Sequence, residues 1–241
     1  MINQVKAFLA IVAVACVVPA AGLAIEAYSQ DFEGLDQGSL SALGDDGWLV
    51  FANVFSPGGD YLYGYGVFPA PNNPDAPAFS LIVTGQGGPE QGAQQLSVFS
   101  DYNNGDHAVG NLIESLVFQE QMIDAGAVDQ TWIFAFQAKR GNIEGETTAV
   151  AFIKTLDPDS GFQTTNFITA DMTAIGELWS EYSLSITIDE DLVGQLLQIG
   201  FASTASNYEG SGIFYDNIDF FLSDPTSIES TSWSQVKSIF Q

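Results

Sequence analysis

Trp132-Ile133-Phe134-Ala135-Phe136-Gln137-Ala138-Lys139 carries an aromatic ring at every second position from 132 to 136. Side chains two residues apart share one face of a β-strand, so Trp132, Phe134 and Phe136 form one inward-facing row. The same period runs through Tyr182-Ser183-Leu184-Ser185-Ile186-Thr187-Ile188, with Tyr182, Leu184, Ile186 and Ile188 facing in and Ser and Thr facing out. Outward from these two, strand signals recur along the chain, separated by clusters of Gly, Pro, Asn and Asp. They cover 28–32, 48–55, 61–68, 78–84, 95–100, 111–122, 131–139, 147–156, 162–172, 182–188, 196–203 and 213–222. Helical signals are scarce. About a dozen short strands at this spacing predict an all-β fold, a two-sheet antiparallel β-sandwich of the jelly-roll kind. Loops 56–60, 69–77, 85–93 and 101–109 are expected at the ends of the sandwich, where binding loops often sit.

The two ends of the chain read differently. Lys6, the apolar run 7–18 and the small residues Ala20, Ala21, Gly22 and Ala24 have the layout of a secretory signal peptide, 1–24, cleaved after Ala24. The apolar run is too short to be a membrane span. Cys16 raises a rival reading, an acylated lipoprotein signal, although Ala13 stands where a large aliphatic is usual. The β domain is expected over 25–223, with no internal repeat. Asp224-Pro225-Thr226 breaks the last strand, and 224–241 reads as a linker and a short amphipathic tail. In that tail Trp233, Val236, Ile239 and Phe240 fall at helical spacing. The tail either packs on its own sandwich or serves docking and self-association.

Five Lys and Arg stand against 30 Asp and Glu, a formal net charge of −25. Nucleic acid and anionic membranes both require a basic patch and are excluded as partners. The acids are scattered, as on a solvated surface in extracellular water. The only cysteine lies in the proposed signal, so the mature chain has no disulfide framework. With 46% apolar and 12% aromatic residues, the chain has ample material for a core.

Four segments carry a family resemblance. The run from Gln95-Leu96-Ser97-Val98 through Phe118-Gln119-Glu120 to Trp132–Gly141 resembles the central strands of carbohydrate-binding jelly-roll modules appended to bacterial cellulases and xylanases. Ala135 stands where that family usually has Ser. Trp179 to Ile188 is similar to its "Trp–x–x–Tyr–Ser" strand, Phe214-Tyr215-Asp216-Asn217-Ile218 to its closing strand, and Asp31-Phe32-Glu33 to its opening element. The four occur in the family's order across roughly 30–223. The resemblance implies that the opening and closing strands lie together and grip a structural Ca²⁺, with Glu33 and Asp216 as side-chain ligands and Asp31 as a further one. Calcium takes hard oxygen donors, so carboxylates suit it; Asp–Asn pairs are also ordinary turn residues.

The candidate ligand site comes from spacing. Tyr61, Tyr63 and Tyr65 alternate with Leu62 and Gly64, so a strand would place the three rings on one face and leave the Gly64 and Gly66 side bare. Such a row can stack on successive sugar rings, since tyrosine joins an apolar body to a polar tip. It also fits ordinary sheet residues. Trp48, Tyr102 and Gln119 are expected to complete the cleft. His107, the only histidine, sits in Asn103-Asn104-Gly105-Asp106-His107 and reads as an exposed turn residue with no catalytic role. No nucleophile–base pair, phosphate loop, zinc spacing or redox motif is present, and no catalytic residue is assigned. The leading reading is a secreted, extracellular or cell-surface, non-catalytic module that binds a neutral polysaccharide. The alternatives are a self-assembling surface, matrix or filament subunit and, third, a glycan-active hydrolase or lyase.

Overall fold

The structure, a computed structural model, describes residues 25–73 and 79–223. The proposed signal peptide and the C-terminal tail lie outside the described residues. Twelve strands form where the alternating segments were read: β1 (Tyr28–Gln30), β2 (Leu49–Phe55), β3 (Tyr61–Pro69), β4 (Ser80–Thr84), β5 (Gln94–Val98), β6 (Leu112–Met122), β7 (Thr131–Arg140), β8 (Thr148–Asp157), β9 (Gln163–Asp171), β10 (Ser180–Thr187), β11 (Leu196–Ala205) and β12 (Ile213–Leu222). The first sheet has the order β10-β7-β12-β5-β4, with β1 on β12; the second runs β3-β2-β6-β11-β8-β9. Every pairing is antiparallel. The chain is therefore a two-sheet β-sandwich, as predicted.

The inner faces meet in an aromatic core. Trp132, Phe134 and Phe136 on β7 are buried, as their alternation required, and so are Phe201 on β11 and Tyr215 and Phe220 on β12. Phe201, from the second sheet, stacks on Tyr215 of the first with ring centroids 3.6 Å apart. It also meets Phe136 edge-on at 5.1 Å and Phe134 at 5.5 Å. Burying flat rings face to face removes large apolar areas from water and fixes the sheets' relative position.

The acidic loops have a local structural cause. Asn104, Asp124, Asp157 and Asp189 each precede a short 3₁₀ turn and accept a hydrogen bond from the backbone N–H two residues on. Asp31, Asp36, Asp101 and Asp171 make the same bond in other turns. A short carboxylate or amide side chain satisfies the turn's own N–H, which is why these types recur between strands.

Phe201→Ala should leave a cavity between the sheets and cost about 3–5 kcal/mol, the usual range for a buried Phe. Urea denaturation should show a lower midpoint with an unchanged slope; an unchanged midpoint would mean that the rings on either side close the gap.

Candidate functional site

The outer face of the second sheet departs from the usual pattern. An antiparallel sandwich normally turns polar residues to water. On β2, Val50, Ala52 and Val54 point into the core, which leaves Leu49, Phe51, Asn53 and Phe55 on the outside. The register sets Leu49 opposite Phe118, Phe51 opposite Leu116 and Asn53 opposite Glu114. On β11, Gly200 lies opposite Phe118 and Ala202 opposite Leu116; on β8, Phe152 lies opposite Gly200. Leu116, Phe118, Phe152 and Ala202 thus form a second buried apolar cluster outside the sandwich core, with Leu49, Phe51 and Val150 packed on it. Gly200 is required there, since a methyl group on it would stand 2.2 Å from the Val117 carbonyl oxygen.

Above this cluster runs a cleft of about 500 Å³ that crosses the strands from Phe51 and Val67 to Phe162 and Thr164. Leu116, Phe118, Leu156 and Leu196 give it an apolar lining, and Asn53, Glu120, Lys154 and Gln198 add polar groups. Asn53 Nδ2 donates to Glu114 Oε2 at 2.7 Å, and Gln198 Nε2 donates to Glu120 Oε2 at 2.7 Å. The cleft can therefore take a ligand that is apolar on one side and hydrogen-bonding on the other.

The three tyrosines do not share one exposed face. The β2–β3 register shifts between Val54 and Phe55, so Tyr61 pairs with outward Phe55 while Tyr63 and Tyr65 pair with inward Val54 and Ala52. Tyr63 Oη donates to Asp106 Oδ2 at 2.5 Å and Tyr65 Oη to Asp101 Oδ2 at 2.7 Å. Burial, together with the Asp101 carboxylate, pushes the Tyr65 hydroxyl's pKa up. Nor is the glycine side bare: a methyl group on Gly64 would meet Phe51 Cζ at 2.7 Å and the Tyr61 hydroxyl at 3.0 Å. None of the three lines the cleft, although the Tyr61 hydroxyl and Phe51 Cζ both lie within 3.0 Å of where a Gly64 methyl group would stand.

Three further placements correct the expectation of a shared cleft. Trp48 is fully buried and packs on Phe201, Phe32 and Tyr28, so it belongs to the core. Gln119 turns to the side opposite the cleft and donates to the Asp46 carbonyl at 3.0 Å. Tyr102 is half-buried and hydrogen-bonded to the Glu209 carbonyl and the Ser211 hydroxyl. His107 is also not an exposed turn residue. It is fully buried, with Tyr102 at 5.4 Å and Tyr208 at 5.3 Å from its ring centroid. Its Nε2 lies 3.3 Å from Ser100 Oγ, and its Nδ1 has no partner.

The opening and closing strands do meet, since β1 pairs with β12 from Tyr28↔Phe220 to Gln30↔Ile218. Just beyond β1, Phe32 adopts φ +61° and points into the core, leaving Asp31 and Glu33 exposed. Glu33 Oε1 accepts from the backbone N–H groups of Ala93 and Gln94, at 2.7 and 2.6 Å. Asp216 is buried and its Oδ2 has no hydrogen-bond partner. Burial, reinforced by the charges of Glu33 and Asp31, raises its pKa to about 7. An orphaned carboxylate oxygen beside two more carboxylates suits a cation chemically. Among the described residues, however, no group of three or more His, Cys, Asp or Glu side chains is close enough to hold a metal as placed.

Comparison with solved structures finds matches at low sequence identity and low TM-score. The enzymatically active domain of bacteriophage CBA120 tailspike protein 4 matches with 15% identity and a TM-score of 0.44, over 78% of this chain and 21% of that one. A cyclase from Fischerella sp. matches with 14% identity and a TM-score of 0.42, over 83% of this chain and 89% of that one. The CBM22-1 xylan-binding domain of Paenibacillus barcinonensis Xyn10C matches with 10% identity and a TM-score of 0.37, over 59% and 81%. Carbohydrate-binding modules are among the structural neighbours. The chain spans only about a fifth of the tailspike it matches. No protein-family model and no curated protein matches the sequence. Among the described residues, no helix is long and apolar enough to cross a membrane.

His107 yields a pH prediction. Burial lowers its pKa below the ordinary histidine value, against the opposing pull of Asp101 and Asp106. The unfolded chain takes up the proton near pH 6.5 and the folded chain only at lower pH. The neutral ring's contribution is thus complete above pH 6.5 and is lost as pH falls through the window below it. The thermal midpoint should fall between pH 7.5 and pH 5.5 by more in the native protein than in His107→Phe. Equal falls would show that His107 makes no such contribution.

Proposed function

We propose that this chain is a secreted, non-catalytic binding module that holds a neutral glycan in the cleft on the outer face of its second sheet. The observation that carries this reading is the cleft itself, an apolar floor with polar groups standing along it. A sugar ring has that same division, with C–H faces suited to Phe51 and the exposed Phe162 and hydroxyls suited to Glu120, Lys154 and Gln198. The strongly negative chain disfavours a polyanionic ligand.

Two features support the non-catalytic reading. Glycoside hydrolysis needs two carboxyl groups roughly 5–10 Å apart. Of the cleft's lining residues only Glu120 carries a carboxyl group, and its Oε2 is tied to the Gln198 amide. His107 is enclosed in the fold, away from any ligand. A screen of neutral polysaccharides should find a ligand whose affinity falls at least tenfold in Phe51→Ala, with the fold retained. Binding that survives Phe51→Ala would remove the cleft as the site.

Calcium completes the proposal as a structural ion. Glu33 and Asp216 would hold it, with Asp31, and the ion would supply the positive charge that the buried Asp216 carboxylate lacks. A ligand that binds only the folded state stabilises it by about 2.7 kcal/mol at a hundred times its dissociation constant. Adding calcium to chelator-treated protein should raise its thermal midpoint, and Asp216→Asn should abolish the rise. A rise of equal size in the variant would place any calcium elsewhere.

A further inference from the structure

The cleft contains a cation with no protein partner among the described residues. Lys154 on β8 lies opposite Gln198 on β11, which lies opposite Glu120 on β6, so the three side chains form one row across the cleft. The Lys154 ammonium has no hydrogen bond and no ion pair within 4.0 Å among the described residues. Carboxylates are not scarce in a chain with 30 acids. Two lie near enough to hold the lysine's pKa up against the burial that lowers it, Glu114 and Glu120. Each is engaged by an amide through its Oε2, with Asn53 on Glu114 and Gln198 on Glu120. The Gln198 amide, so committed, leaves its own Oε1 buried without a donor.

The row is thus short of partners in both senses. It has an ammonium with three donors and no acceptor, and a carboxylate oxygen, Glu120 Oε1, with no donor. Only Gln198 Oε1 of this row is a buried atom without a partner; water reaches Lys154 Nζ and Glu120 Oε1 in the free protein, and a ligand that displaces that water must replace its hydrogen bonds. One chemical group answers both needs: a hydroxyl accepts through its oxygen and donates through its proton. A further anion would be attracted by one cation and repelled by two carboxylates. An esterified or methylated oxygen still accepts but has no proton to give.

We propose that Lys154 and Glu120 form a hydroxyl-reading pair that determines the specificity of the cleft, selecting a neutral glycan with free, unesterified hydroxyls on the edge turned toward β8 and β6. Lys154 donates to a sugar oxygen, and a sugar hydroxyl donates to Glu120 Oε1. This rests on the glycan reading of the cleft. A site built around a hydroxyl's hydrogen bonds discriminates strongly against an analogue that lacks them, because its own polar groups are then left unpaired.

The test compares acetylated and deacetylated forms of the same xylan and of the same glucomannan by titration calorimetry, with native protein, Lys154→Met and Phe51→Ala. Methionine keeps the apolar stem of lysine and removes the donors. The native protein should bind the deacetylated chains at least tenfold more tightly than the acetylated ones. Lys154→Met should lose at least tenfold in affinity for the deacetylated chains with no fall in thermal midpoint. Native-like affinity in Lys154→Met together with weakened binding in Phe51→Ala would overturn the role of Lys154 and leave the cleft standing. Native-like affinity in both variants, or no binding of either polymer by the native protein, would overturn the cleft reading and the pair with it. Acylation by a limiting amine reagent, read by mass spectrometry, gives a second measurement on the unmutated protein. Deacetylated glucomannan should protect Lys154 and leave Lys139 labelled; equal labelling of Lys154 with and without the bound polymer would overturn the contact.

Discussion

Across the middle of the sandwich the ring of Phe201 lies flat on that of Tyr215, one from each sheet, with 3.6 Å between centroids. No disulfide can join the described strands, since the one cysteine lies at position 16. The sheets are therefore held by apolar contact, chiefly between rings. Strand periodicity then carries that contact outward. With Phe201 facing in, Gly200 and Ala202 must face out, and these residues with Gln198 underlie or line the cleft. With Tyr215 in the core, Asp216 next to it is carried to the corner where Glu33 and Asp31 gather. One packed pair thus sets the depth of the cleft floor and the position of the buried carboxylate.

The surface charge has a division of labour that its total conceals. Eight of the Asp and Asn side chains close turns by accepting from a backbone N–H two residues on. Asp101, one of these eight, also ties β3 to the loop at 101–111 through Tyr65, and Asp106 does so through Tyr63. Glu114 and Glu120 stand near the one half-buried lysine of the cleft. The acidity is thus partly a consequence of building many turns, and only a few carboxylates face a place where a ligand could sit.

The strands were legible because alternation and turn residues are local signals. Each of the twelve segments forms a strand, and the inward row Trp132, Phe134 and Phe136 is buried. The candidate cleft was not legible, for reasons that can be named. Leu116-Val117-Phe118 is a continuous apolar run, which marks a strand buried on both faces without telling which face is the core. The tyrosine row failed at a β-bulge, because one extra residue reverses the face of everything beyond it. His107 was misread because a polar loop can fold a residue beneath its own aromatic neighbours, here Tyr102 and Tyr208. Trp48 precedes the first outward residue of β2 and so falls on the inward side, toward Phe201.

The two outer faces of the sandwich make the case for where a ligand belongs. On the first sheet the middle of the outer face carries Ala135 opposite Ser183 and Asp219, with Ile133 opposite Phe221 beside them, and a hollow of about 600 Å³ there mixes these with Gln137, Glu181 and Asn217. On the second sheet the corresponding ground is occupied by Leu116, Phe118 and Phe152, which pack against one another and against Phe51. This cluster is separate from the core between the sheets. Above the cluster stand Lys154 and Gln198 Oε1, the first with no acceptor and the second with no donor among the described residues. A purely aliphatic occupant would cover the phenylalanines and strand the ammonium. A polyanion would meet the ammonium and oppose Glu114 and Glu120. The neutral sugar chain proposed above would satisfy both halves of the surface, because its rings present C–H groups downward and hydroxyls sideways in one rigid unit.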